Sequence, residues 1–176
     1  MLRKAVEVKG LSVEYEDTLA LKNVTFDLDK GELLLILGPS GSGKSTLLKT
    51  LAGIIPHVVN AKVRGNVRIM NINPIVEDPL KLSGLISYIP QEPWDGILTH
   101  SVYSELCINA LLYGIKQDRI VKSIKEFHLE NMINRLTYTL SAGEVQRLVI
   151  ASSDCINARI YLLDEPSSFL DENSRN

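Results

Sequence analysis

One short stretch constrains this chain more than any other: Gly38, Pro39, Ser40, Gly41, Ser42, Gly43, Lys44, Ser45 and Thr46, placed directly after the apolar run Leu33, Leu34, Leu35, Ile36, Leu37. The run does not alternate, so it predicts a strand covered on both faces, as at the centre of a parallel sheet. Leu47, Leu48 and Leu51 then recur at helical spacing. A glycine-rich turn between a buried strand and a helix lets backbone N–H groups point inward, with no Cβ in the way. The helix N-terminus adds its positive dipole end. Gly38-x-x-x-x-Gly43-Lys44-Ser45 is therefore a phosphate cradle. Lys44 is expected to reach the β- and γ-phosphates of a nucleotide, and the Ser45 hydroxyl to coordinate Mg²⁺.

The rest of the composition narrows the setting. A chain of 176 residues, 45% hydrophobic, suits one folded domain with a real core. A net charge of -2 gives no general attraction to nucleic acid or anionic lipid, so no nucleic-acid partner is expected. No run approaches the roughly 20 apolar residues that cross a bilayer. Met1-Leu2-Arg3-Lys4 leads at once to Glu7 and Lys9, without a signal-peptide core. A cytoplasmic protein is expected, with any membrane role supplied by a partner. Cys107 and Cys155 lack metal-ligand spacing and read as reduced core thiols.

Strand-like alternation marks residues 6–8 and 24–28, and Asp29, Lys30, Gly31 and Glu32 form a polar turn. Short strands return at 67–69 and 86–89, and residues 101–157 read as mostly helical. Within that stretch Val145, Leu148, Val149 and Ser152 share one helix face. The expected layout is an α/β core with β subdomain (1–90 and 158–176), interrupted by a helical arm (91–157).

Two further constellations carry chemistry. Ile160, Tyr161, Leu162 and Leu163 form a second buried-strand candidate that ends in Asp164 and Glu165. Asp164 is expected to hold Mg²⁺, and Glu165 to act as general base on the attacking water. Between the two strands, Ser141-x-x-Glu144 is a helix capping box.

Leu140, Ser141, Ala142, Gly143 and Glu144 resemble the signature of ATP-binding cassette ATPases, usually written Leu-Ser-Gly-Gly-Gln. The resemblance covers nearly the whole chain, with the motifs in the family's order. It implies a P-loop NTPase core with a parallel central sheet, an N-terminal antiparallel β subdomain and an inserted α-helical subdomain. It also implies ATP and Mg²⁺ as ligands. Tyr15 matches the aromatic that stacks on adenine, and Gln91 the glutamine that senses Mg²⁺ and the γ-phosphate. Ser141 and Gly143 match the groups that serve the ATP of an opposite subunit, and Asp171 an aspartate across that dimer interface. The implied partners are a second cassette subunit and an integral-membrane transport subunit at the inner face of the cell membrane.

Residues 51–57, 91–93 and 98–106 look like the energy-coupling factor group, which serves cobalt, nickel and vitamin uptake. Residues 160–171 also resemble soluble members that act on ribosomes, which leaves a soluble factor on ribosomes or nucleic acid as an alternative. Ala142 and Glu144 depart from the signature's usual Gly and Gln, and Glu144 completes the capping box. The family's switch histidine has no match after Glu165, since His57, His100 and His128 all precede it. The expectation is a C-terminally incomplete cassette, or a nucleotide-binding module that does not hydrolyse.

Overall fold

The computed structural model describes residues 4–166, and the chain folds as two compact units, Met1–Ile86 and Ser87–Asn176. The first unit is built on an antiparallel sheet of order β2-β1-β3, comprising β1 (Lys4–Tyr15), β2 (Thr18–Asp29) and β3 (Lys62–Ile69). Val6 and Val8 are buried, but so are Leu11 and Val13, which alternation alone would send to the other face. The register shifts between Val8 and Leu11. Gly10, at φ +62°, supplies the extra residue that restores the buried face. Across the sheet, Gly65 (φ +103°) approaches so closely that a Cβ there would lie 2.5 Å from the Gly10 carbonyl oxygen. The expected turn at 29–32 is present: the Asp29 N–H donates to Glu32 Oε2 at 2.8 Å.

After the phosphate loop, α1 (Lys44–Leu51) buries Leu47, Leu48 and Leu51. It stops at Ala52, where Gly53 turns to φ +74° and opens the short α2 (Ile54–His57).

Residues 33–37 correct the sequence reading. They are not a strand, and Leu33, Leu35 and Leu37 are 93%, 74% and 81% exposed. A strand of a parallel sheet exists only through distant neighbours on both edges and covering layers on both faces. In the first unit β1 already pairs with β2 and β3, and residues 33–37 join neither described sheet.

Among its described residues the second unit carries the α-helices α3 (Val102–Tyr113), α4 (Gln117–Glu126) and α5 (Ala142–Ile156), and β4 (Ile86–Ile89) pairs with β5 (Ile160–Leu163). Val145, Leu148, Val149 and Ser152 of α5 are buried on the expected face, joined by Cys155. The α5 stripe packs with Val102, Leu106, Ile120, Leu129 and Met132. Burying each such aliphatic side chain is worth about 1.5–3 kcal/mol. Asn109 ties α3 to α5 through Ser152 Oγ at 2.6 Å, and Arg119 ties α4 to α5 through Asp154 at 3.0 Å. Both cysteines are free, and burial pushes the Cys155 thiol up. Among the described residues no helix is long and apolar enough to cross a membrane.

Candidate functional site

The phosphate loop opens α1 without a side-chain cap. Gly43 is the cap residue, in the left-handed region at φ +91°, and no acidic residue lies in the first turn. The first intrahelical bond of this end runs from Leu47 N–H to Gly43 O at 2.9 Å. Earlier N–H groups of α1 have no carbonyl within the helix, and the positive end of the helix dipole lies here. Gly43 must be glycine for two reasons. Its φ disfavours a side chain, and a Cβ would lie 2.6 Å from Ala20 O and 2.7 Å from Leu21 Cδ2 on β2. Gly41 (φ +78°) also lies in the left-handed region, but faces open space. At Gly38 a Cβ would meet Ser42 Oγ at 2.7 Å.

Lys44 curls over this turn, donating to Gly38 O at 3.0 Å and Pro39 O at 3.2 Å. Ser42 N–H closes the loop onto Pro39 O at 3.2 Å. Ser45 and Thr46 follow in the first turn of α1, and the Tyr15 hydroxyl donates to Thr46 Oγ1 at 3.4 Å. The expected aromatic at the end of β1 is thus beside the loop's helix. A glycine-built turn, an uncapped helix and a lysine over the turn fit a polyphosphate.

The second unit brings together the acidic pair and Gln91. Asp164, directly after β5, is 2% exposed, and its N–H donates to Ile89 O of β4 at 3.0 Å. The Tyr88 hydroxyl donates to Asp164 Oδ2 at 3.3 Å. Burial above all, and then the Asp164 charge, hold that phenol well above its usual range. The Gln91 amide donates to Glu165 Oε2 at 3.2 Å. Glu165 itself sits at φ +51°, a conformation non-glycine residues adopt at a cost and often at functional positions.

Ser141 and Gly143 form a separate cluster at the start of α5. The capping box is complete: Glu144 N–H donates to Ser141 Oγ at 3.3 Å, and Ser141 N–H donates to Glu144 Oε2 at 2.7 Å. Arg135, which nothing in the sequence singled out, donates to Glu144 Oε1 at 2.7 Å and to Thr139 O at 2.5 Å. The Ser141 N–H, and then Arg135, hold the Glu144 carboxyl below its ordinary value against partial burial. The cap consumes the Ser141 and Glu144 N–H groups, while those of Ala142 and Gly143 lie in the first turn, where the helix offers no acceptor. Asp171 lies outside the described residues.

The sequence also hid Glu105, 1% exposed, which accepts from Leu98 N–H, Thr99 N–H and Thr99 Oγ1 at 3.0, 2.8 and 2.9 Å. A lone acid inside the apolar α3 was the signal available. It fixes the loop that leads from Gln91 into the helices.

Known proteins resemble this chain in sequence and fold. The energy-coupling factor transporter ATP-binding protein EcfA1 of Fusobacterium nucleatum is 36% identical over 171 residues, covering 94% of this chain and 63% of its own length. The solved structure of cbiO1 from Clostridium perfringens, part of the ABC transporter complex cbiONQ, superposes with a TM-score of 0.78 at 27% identity. That match covers 96% of this chain and 68% of that one. A dimeric ATP-binding cassette in a post-hydrolysis state, bound to ADP and Pi, gives a TM-score of 0.81 at 28% identity, with 96% and 77% covered. The chain spans 33% to 63% of the length of several curated relatives. The family profile described as ABC transporter matches residues 21–168. On that match, which spans most of its length, the chain belongs to the ABC transporter family of ATP-binding proteins.

Proposed function

We propose that this protein binds Mg-ATP and hydrolyses it to power solute movement through a separate membrane subunit, working as one of two paired cassettes. The observation that carries the reading is the uncapped, glycine-opened N-terminus of α1 beneath Lys44. In this reading Lys44 exchanges the loop carbonyls it now holds for the β- and γ-phosphate oxygens of ATP. The Ser45 hydroxyl, the Asp164 carboxylate and the Gln91 amide oxygen would hold Mg²⁺, which neutralises phosphate charge when bound. A metal that takes one or two carboxylates and completes its shell from phosphates and water suits these donors.

Glu165 takes a proton from the water that attacks the γ-phosphorus. The bond from that phosphorus to the bridging oxygen breaks, and ADP and inorganic phosphate leave. Gln91, donating to Glu165 Oε2, orients the carboxylate for this step and keeps its own oxygen for the metal. Tyr15, at the end of β1, stacks on the adenine. Ser141 and the Gly143 N–H serve the ATP of the paired cassette. The likeness to EcfA1 and cbiO1 favours the energy-coupling factor group, and hence an uptake role at the cytoplasmic face of the membrane.

The test is Glu165→Gln. ATP binding should persist while hydrolysis falls by roughly 10²- to 10⁴-fold, the usual loss for a general base. Unchanged hydrolysis would remove Glu165 from the mechanism.

A further inference from the structure

Asp164 is held by β4 at two points, and only one of them is explained by folding. Its main chain joins the sheet through Ile89 O at 3.0 Å, as any residue extending β5 would. Its side chain is separately engaged by the neighbouring residue of β4, where the Tyr88 hydroxyl reaches Oδ2 at 3.3 Å. A carboxylate that is 2% exposed has little water to orient it. A side chain in this position turns about two bonds unless something fixes it, and a donor on one oxygen dictates where the other points. Outer partners of this kind commonly set the direction and affinity of a metal-binding carboxylate.

We infer that Tyr88 is a positioning residue for the metal site: its hydroxyl occupies Oδ2 of Asp164 and leaves Oδ1 to face the cation. The inference rests on the nucleotide-and-metal reading above and adds to it a residue outside the recognised motifs. The Tyr88 ring serves packing, and the hydroxyl serves the metal. The two roles come apart in Tyr88→Phe, which keeps the ring and removes only the oxygen.

The experiment uses the whole chain and needs no turnover. A fluorescent ATP analogue is titrated in EDTA and again in Mn²⁺, and the ratio of the two affinities measures how much the protein's metal ligands contribute. Electron paramagnetic resonance of the bound Mn²⁺ reports its ligand environment. Tyr88→Phe should bind the analogue in EDTA as the natural protein does, while the Mn²⁺ advantage falls roughly tenfold, the lower end for loss of an outer partner. The Mn²⁺ spectrum should broaden as Asp164 loses its fixed orientation. Asp164→Asn should lower the advantage further, and adding Tyr88→Phe to it should change nothing more. An unchanged ratio and spectrum in Tyr88→Phe would overturn the inference while leaving nucleotide binding intact. Failure of the natural protein to bind the analogue at all would instead overturn the nucleotide reading, and this inference with it.

Discussion

The N-termini of α1 and α5 are finished in opposite ways. α1 begins on a glycine, with no side-chain cap and no acidic residue in its first turn. α5 begins on a serine inside a complete capping box, braced from outside by Arg135. With glycine at the cap, α1 forgoes roughly a few tenths of a kcal/mol that Ser, Thr, Asp or Asn would supply. In the function proposed above, the open end of α1 is the one that meets the nucleotide's phosphates. The capped end has a different quality: its geometry is set before any ligand arrives, and only the Ala142 and Gly143 N–H groups are left over.

That contrast can be broken most forcefully at Gly43. Gly43→Ala must accept both φ +91° and a Cβ 2.6 Å from Ala20 O, where the obstacle is backbone and cannot swing aside. Thermal unfolding should show a loss of roughly 3 kcal/mol or more, the sum of left-handed strain and overpacking. Gly41→Ala shares the left-handed φ but meets open space. Its loss should stop at about 1–2 kcal/mol. Equal losses at the two positions would mean that the close approach to β2 is not what fixes the loop.

At the other helix, Ser141→Ala should cost about 1 kcal/mol in denaturant unfolding, the ordinary value of an N-cap. A larger loss would mean that Arg135 and Glu144 depend on the serine to hold their geometry. The smallest effect is a pH dependence. The Glu144 carboxyl titrates below its ordinary value of 4.5 in the folded chain, so its stabilisation is fully present above that value. It is lost as pH falls through the folded value. Natural protein should therefore lose its stability advantage over Glu144→Gln only on acidification below about pH 4.5, a difference visible in paired melting curves. An advantage that persisted undiminished well below that pH would show that the cap does not rely on the charge.

What the sequence made readable were the features with local causes. Alternation at Val6 and Val8, the capping box at Ser141 and Glu144, and the glycine turn from Gly38 to Gly43 each depend on residues a few positions apart, and each is present. Residues 33–37 failed because the burial of a continuous apolar run depends wholly on distant strands and helices, about which five leucines and isoleucines carry no information. Tyr88, Glu105 and Arg135 stayed hidden for a related reason. Arg135 lies nine residues before Glu144, a spacing no helix or strand makes adjacent, and Tyr88 meets Asp164 from 76 positions away. Such pairs exist only once the chain has folded.

Calorimetric titration of ATP into the natural chain and into Lys44→Ala measures what the open end of α1 and its lysine contribute to nucleotide binding. The natural protein should bind one ATP saturably, and Lys44→Ala roughly 10- to 100-fold more weakly, the worth of charge-assisted hydrogen bonds to phosphate. Equal affinity in the two, or no binding by the natural chain, would contradict the proposed phosphate site at that end.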